Sequence, residues 1–557
     1  MVKPIPIIDL FAGPGGLSEG FTSVRAKTGA RAFRIALSIE REEAAHTTLR
    51  LRAFFRQFSP GKVPKAYYQY LRGEITRDAL YRAHPTAACA AKQEAWLAEL
   101  GVEPHDNVKQ RICEALDGAS VWALIGGPPC QAYSLVGRAR RTHVPREEFE
   151  ADKRHRLYKE YLRILADHRP PVFVMENVKG LLSSTLKGER IFERILEDLA
   201  APSDAVGNAD GLRYRLFPFN AAGQTQLWSD AKDFIIRSEE HGIPQARHRI
   251  IVLGVREDLL TTDAPAMKLD RIGTVSVAAV IDDLPRLRSG LSKGVDSGVA
   301  WRNAIRSAVE RWSSHPQFRT AEMARVLRHA EGIVKRLRVP RSGRGAPFRR
   351  VESAPAYKPD WYTDVHLEGV CNHETRGHIT SDLERYLFAS CFAVLHGRSP
   401  TLKDFPDFLL PDHRNARNAL NGNLFSDRFR VQVKSRPSTT ITSHISKDGH
   451  YFIHYDPSQC RSLTVREAAR LQTFPDNYLF EGSRTEQYVQ VGNAVPPILA
   501  HQIAGVVLDV LRPLTGESPE PTRRPSSHKP TSGHTKLLER ALIAKGFAVP
   551  TDLHREI

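Results

Sequence analysis

Cys130 stands in Gly126-Gly127-Pro128-Pro129-Cys130-Gln131-Ala132-Tyr133-Ser134, directly after the apolar run Val121–Ile125. Two glycines and two prolines restrict the backbone, so the thiol is carried on a rigid turn at the end of a buried strand. An isolated cysteine is most often a small buried hydrophobe. This one shares the chain with a second apolar run, 171–175, that ends in Glu176-Asn177-Val178. A glutamate at a strand end is ordinarily a cap or an ion-pair partner. Beside a nucleophilic thiol it could protonate or hydrogen-bond a ring nitrogen while the sulfur attacks. Gln245-Ala246-Arg247-His248-Arg249 precedes a third run, Ile250–Val255. Period-two alternation puts Arg247 and Arg249 on one side. Two arginines there are either a solvated edge or a hold on a carbonyl oxygen.

A further segment points to a different chemistry. Asp9-Leu10-Phe11-Ala12-Gly13-Pro14-Gly15-Gly16 follows an apolar run and opens a helical pattern. Its glycines let a ligand approach main-chain N–H groups at a helix N-terminus. Alone, such a turn serves dinucleotides equally well. It lacks the GxGxxG register, and Glu40 ends the next strand, where ribose hydroxyls are expected. The segment reads as a nucleoside-cofactor site.

These groups need a frame that gathers strand ends. Short apolar runs at Ile5–Leu10, Phe33–Ile39, Val121–Ile125, 171–175 and Arg249–Val255 are interleaved with amphipathic stretches such as Tyr158–Ala166 and Ile191–Leu199. The pattern predicts an α/β fold with a mixed, mainly parallel sheet and helices on both faces, its ligands at the strands' carboxyl ends. It spans residues 1–262. From 263 to 440 the chain is irregular and Pro/Gly-rich, with nine basic residues against one acidic between Arg325 and Arg350. Such a run is a solvated helix face or a set of phosphate contacts. Regular structure resumes over 441–512, with predicted helices at Leu463–Gln472, capped by Thr464, and Pro496–Leu511. Residues 513–535 read as a flexible linker and 536–557 as a tail.

Composition narrows the class. The 557 residues suffice for more than one domain, and 80 Lys and Arg against 63 Asp and Glu give a net charge of +17, which suits a polyanionic partner. Six scattered cysteines and an N-terminus without a charged-then-apolar pattern fit a reducing cytoplasm. No apolar run approaches membrane-spanning length, so no membrane partner is expected. Cys371, His373, His378 and Cys391 match no standard zinc spacing, and no metal is expected.

Taken together, the motifs resemble those of the cytosine-5 DNA methyltransferases. Asp9 to Gly16 resembles the family's cofactor motif, Pro128-Pro129-Cys130-Gln131 its catalytic motif, and Glu176-Asn177-Val178 and Gln245-x-Arg247-x-Arg249 its next two hallmarks. Arg466-Glu467-Ala468-Ala469-Arg470-Leu471-Gln472-x-Phe474-Pro475 and Gly492-Asn493-Ala494-Val495 complete the set in order. The resemblance covers about 5–260 and 440–510. It implies a Rossmann-like S-adenosylmethionine-dependent core with a smaller target-recognition domain inserted at 263–440.

Position by position, the resemblance implies that Phe11, Ala12, Gly13, Gly15 and Gly16 line S-adenosylmethionine, with Phe11 against the adenine and Glu40 on the ribose. Pro129 and Leu157 pack on the cofactor, and Asn493 and Ala494 stand at its amino-acid end. The adenine-amine acid has no clean match; Gly73-Glu74-Ile75 is the nearest candidate. Gln131 and Ser134 shape a loop that closes over DNA, and Arg138, Arg140 and Arg141 reach phosphates. The implied reaction extrudes a cytosine from double-stranded DNA and adds Cys130 to its carbon 6, with Glu176, Arg247 and Arg249 around the base. Two alternatives stay open: methylation of a transfer-RNA cytosine, and a non-catalytic DNA-binding regulator. The resemblance further implies a monomeric prokaryotic protein acting in restriction–modification or phage defence, with a cognate restriction endonuclease encoded nearby.

Overall fold

The computed structural model describes residues 3–128, 153–183, 185–186, 189–208, 210–219, 230–260, 267–411 and 427–515. Cys130, with Pro129, Gln131, Ser134, Arg138, Arg140 and Arg141, lies outside them. So do 516–557, which hold nearly all of the expected linker and tail.

Five strands, β1 (Ile5–Leu10), β2 (Phe33–Glu40), β3 (Ala95–Leu97), β4 (Ala123–Gly126) and β5 (Val172–Val178), run parallel. Three more, β6 (Tyr214–Phe217), β7 (Ile235–Arg237) and β8 (His248–Arg256), join antiparallel, giving the order β3-β2-β1-β4-β5-β8-β6 with β7 also on β8. This is the mixed, mainly parallel sheet that the apolar runs predict. Alternation sorts the faces. Ile8, Leu10, Leu124, Phe173 and Val252 enter one core with α6 (His105–Leu116), α7 (Lys153–His168) and the helix Ile191–Ala200.

The other face is covered by α1 (Gly16–Ser23) and the helix Pro497–Leu511, which lie in close contact. A Cβ on Gly16 would stand 2.2 Å from Val495 O, and one on Gly20 2.3 Å from Ala500 Cβ. Glycine is what allows the two helices to meet. The continuous stretch Arg484–Thr515 is long and apolar enough to span a membrane by composition, contrary to the sequence expectation, yet about two thirds of its most apolar window is buried inside the protein.

Between β2 and β3 the chain inserts α2 (Glu43–Arg56), α3 (Lys65–Leu71), α4 (Arg77–Ala83) and α5 (Pro85–Glu94). Phe54, Tyr67, Leu71 and Leu80 form a second small core there with Leu367 and Cys371. Cys371 is thus a packing residue whose thiol is pushed up to about 12 by burial. The helix Val465–Leu471 starts at Thr464 in a reciprocal capping arrangement with Glu467, as predicted. Residues through Leu511 form one unit; in a second unit, Arg512–Ile557, only the turn Arg512–Thr515 is described.

Candidate active site

Parallel register brings the carboxyl ends of β1, β2, β4 and β5 together, with Leu10 opposite Ile39 and Gly126, and Gly126 opposite Met175. Gly127 and Pro128, which lead on to Cys130 in the sequence, therefore leave β4 next to Glu176. A Cβ on Gly127 would stand 3.0 Å from Glu176 Oε2. Asn177 Nδ2 donates to Pro128 O at 3.0 Å, while its Oδ1 accepts the Val178 N–H at 2.8 Å. The asparagine beside the glutamate thus holds Pro128, two residues before Cys130 in the sequence, a role sequence reasoning missed.

Arg249 reaches Glu176 for a reason of sheet geometry. Across β5 and β8, Glu176 faces Ile251 and Arg249 faces Val178, so the two are diagonal neighbours on one face. Arg249 Nε sits 2.9 Å from Glu176 Oε1, both side chains 13% exposed, and Nη1 donates to His248 O at 2.9 Å.

Arg247 departs from the expected alternation. Gln245–Ala246 pairs with Ser438–Thr439 in a separate two-stranded ladder, and the chain turns at Arg247 before β8 begins. Its guanidinium is sealed, donating from Nη1 to Ile441 O at 2.7 Å and from Nη2 to Gly492 O at 3.2 Å. Arg247 bolts the returning chain to the core and does not share the place of Arg249. Gln245 does the same, bonding Leu471 O, the Gln472 side chain and the Ile441 N–H.

At the cofactor motif, Phe11 and Gly13 both take left-handed backbone, φ 55° and 57°. Phe11 packs against the sheet core, and nothing lies within 4 Å of where Gly13 would carry a Cβ. Gly13 N–H donates to Glu40 Oε2 at 2.7 Å, and the Arg41 and Glu42 N–H groups donate to Oε1 at 2.9 and 2.8 Å. Burial raises the Glu40 pKa even so, against those three donors. Beneath the loop, Asp9 is fully buried, takes the Ser18 hydroxyl at 2.5 Å, and is pushed up to about 7 by burial. Asn493 is exposed at the end of the helix Arg484–Asn493, next to the Ala494–Val495 segment that touches Gly16; Ala494 O is bonded by Gln472.

Glu74 and Ile75 are not at this rim. They occupy the turn between α3 and α4, with Ile75 on the insertion's own core and Glu74 solvent-facing, paired with Arg72 at 2.6 Å. The strand that follows β2 in the sheet is β3, and Ala98-Glu99-Leu100 follows it. Ala98 N–H donates to Glu40 O at 3.0 Å, Leu100 is buried, and Glu99 lies 3.2 Å from Arg41. Leu157 Cδ2 stands 3.9 Å from the Cβ position of Gly101, on the same rim. The helical insertion displaced the expected spacing. The missed signal was a short apolar run ending in a carboxylate, as at Glu40 and Glu176.

An open glycine turn, a carboxylate at each of two neighbouring strand ends and an apolar wall fit a nucleoside-bearing cofactor such as S-adenosylmethionine. A sheet of this kind, with an acid–arginine pair beside the rim, has the frame of an α/β enzyme built to take a nucleoside-bearing ligand at its strand ends. The family model "C-5 cytosine-specific DNA methylase" matches residues 98–202 and 232–509. The chain is 32% identical over 526 residues to the type II methyltransferase M.Bpa9945I of Bacillus paralicheniformis, spanning 91% of this chain and 99% of that relative. It is 25% identical to the type II methyltransferase M.AgeI of Thalassovita gelatinovora (90% and 98%), and 27% identical to the DNA (cytosine-5-)-methyltransferase M.ApeKI of Aeropyrum pernix (71% and 83%). The chain belongs to the C-5 cytosine-specific DNA methylase family.

Proposed function

We propose that this chain transfers the methyl group of S-adenosylmethionine to carbon 5 of a cytosine in a specific duplex DNA sequence, with 1–262 and 441–512 as catalytic core and 263–440 as the recognition region. The observation that carries the reading is the Glu176–Arg249 pair at 2.9 Å beside Gly127, at the start of the Gly-Gly-Pro-Pro-Cys sequence.

The target base is extruded, because its ring is unreachable while stacked. The Cys130 thiolate adds to carbon 6; the sulfur–carbon bond forms and the electron pair of the 5,6 double bond moves to carbon 5. Glu176 hydrogen-bonds ring nitrogen 3, and Arg249 keeps that carboxylate aimed while meeting the base oxygen. Carbon 5 takes the methyl group; loss of its proton restores the double bond and expels the thiolate. S-adenosylmethionine, when bound, supplies the methyl group as an electrophile on its sulfonium sulfur. Phe11 would face the adenine, Glu40 the ribose and Asn493 the amino-acid end, with Ala12, Gly13, Gly15, Gly16 and Ala494 in the cradle. Leu157 would wall the pocket beside Pro129, and Glu99 would take the adenine amine in place of Glu74. Gln131, Ser134, Arg138, Arg140 and Arg141 belong to the loop that would close on DNA.

Relatives named as type II methyltransferases support a place in a prokaryotic restriction–modification system, with a cognate endonuclease as companion. The transfer-RNA reading is not favoured, since the matching family is one of DNA methylases. Bisulfite sequencing of DNA from cells expressing the wild type or Cys130→Ser tests the proposal. Protected cytosines within one sequence motif, in wild-type cells only, are expected; identical conversion in both strains rejects it.

A further inference from the structure

The helix Ala321–Arg336 is anchored on one side. It buries Val326 and Ala330 and packs against Gly298–Ser314 and Thr380–His396. At about 100° per residue its opposite side carries Arg325, Arg328, Lys335 and Arg336, all exposed. Among the described residues none of the four has a carboxylate partner, nor do Arg338 and Arg341 just beyond the helix. Exposed arginines on other helices and turns can be matched, as Arg163 is with Glu160 at 2.7 Å, Arg311 with Glu384 at 2.6 Å and Arg398 with Asp404 at 2.7 Å. Six cations against one acid, Glu331, stand between 325 and 341.

Gly332 sits in the middle of this stripe. Glycine weakens a helix interior relative to alanine, so its presence calls for a reason. Packing offers none, because a Cβ there would meet only Arg336 Nη2, at 3.8 Å. Beyond the helix end the stripe runs into a cavity of about 720 Å³ bordered by Arg286, Arg336, Arg338 and Arg341. The acid on its wall, Asp456, is already paired with Arg286 at 3.0 Å.

Unmatched cations along a helix, a bare backbone gap between them and a cationic groove at the end suit an extended polyanion. We propose that this face binds the sugar–phosphate backbone of duplex DNA flanking the target cytosine. Gly332 lets a phosphate come close to the helix backbone, and Arg336, Arg338 and Arg341 take the phosphates beyond it. The proposal rests on the DNA methyltransferase reading above.

Salt dependence tests it, because each cation–phosphate contact contributes about 0.9 to the slope of log affinity against log salt. Binding of a short duplex of arbitrary sequence is measured for the full chain and for the combined Arg325→Gln, Arg328→Gln, Lys335→Gln and Arg336→Gln variant. The slope is expected to fall by about 3 to 4, whereas Arg398→Gln, whose cation is matched, leaves it unchanged. Gly332→Ala is expected to raise the Tm and weaken DNA binding. A combined variant that melts like the wild type and keeps its slope overturns the proposal. Should that variant melt early, the four single variants replace it; each is expected to lose about one unit of slope, and four unchanged slopes overturn the proposal equally. A wild type that shows the expected slope loss on mutation yet incorporates no labelled methyl group rejects the catalytic reading and leaves this surface standing.

Discussion

Glu176, Arg249, Arg247 and Asn177 look alike on paper, as polar residues at strand ends, and the structure gives them different work. Glu176 lies against Gly127, just before Cys130 in the sequence, so Glu176→Gln should cut methyl transfer by about 10²–10⁴-fold, in the range of lost acid–base assistance, and measured incorporation of labelled methyl groups checks it. Arg249→Met should lose activity with little change in Tm. Arg247→Met should do the reverse in emphasis. It leaves the buried carbonyls of Ile441 and Gly492 without donors, at about 1–3 kcal/mol each, and lowers the Tm before activity is considered. Paired thermal melts and activity assays separate the two; equal melting losses would refute the distinction. Asn177 is a positioning residue, acting through the Pro128 carbonyl. Asn177→Ala should lower kcat and leave KM for the cofactor near wild type, and a fall confined to Tm would count against that role.

At the scale of elements, the cofactor rim depends on two helices that approach closely where Gly20 offers no side chain to Ala500. α1 and Pro497–Leu511 touch at Gly20 and Ala500, and Gly16 touches the segment carrying Asn493 to Val495. Gly20→Ala forces a methyl group into a filled space, and overpacking of that kind costs about 1–3 kcal/mol. The expected outcome is a lower Tm together with a raised KM for the cofactor, since the Asn493 segment shifts from the glycine turn. The helix pattern at 497–511 was plain in its apolar run. Its docking partner was not, because a glycine reports only that something is close and not what.

At the scale of the whole molecule, buried ion pairs brace the segment 461–476 and tie it to Asp283, far away in the chain. Arg461 pairs with Glu467 at 2.6 Å, and Arg470 joins Asp476 at 2.8 Å to Asp283 at 2.6 Å. Burial alone would raise Glu467, but Arg461 outweighs it and holds the carboxyl well below 4.5. Its contribution is complete above about that pH and is lost on acidification. Asp9 has the opposite sign. Raised from 3.8 to about 7, it keeps a proton that the unfolded chain releases, so its contribution is present below about 3.8 and is lost as pH rises toward 7. Asp9→Asn should therefore gain Tm over the wild type progressively from about pH 4 to about pH 7. A constant difference across that window would refute the assignment.

The strand ends bearing Glu40 and Glu176 and the glycine turn were legible because local composition alone specifies them: apolar runs, turn formers and a polar residue at the boundary. The partners of those residues were not. That Arg249 meets Glu176 while Arg247 is buried elsewhere follows from an antiparallel register and a turn between ladders, which involve residues far apart in the chain. That Glu99 and not Glu74 stands at the rim follows from four inserted helices with a core of their own. Sequence determined which residues could do the chemistry; only tertiary structure decided which of them meet, because pairing across a sheet depends on register and insertion, and neither is encoded in local spacing.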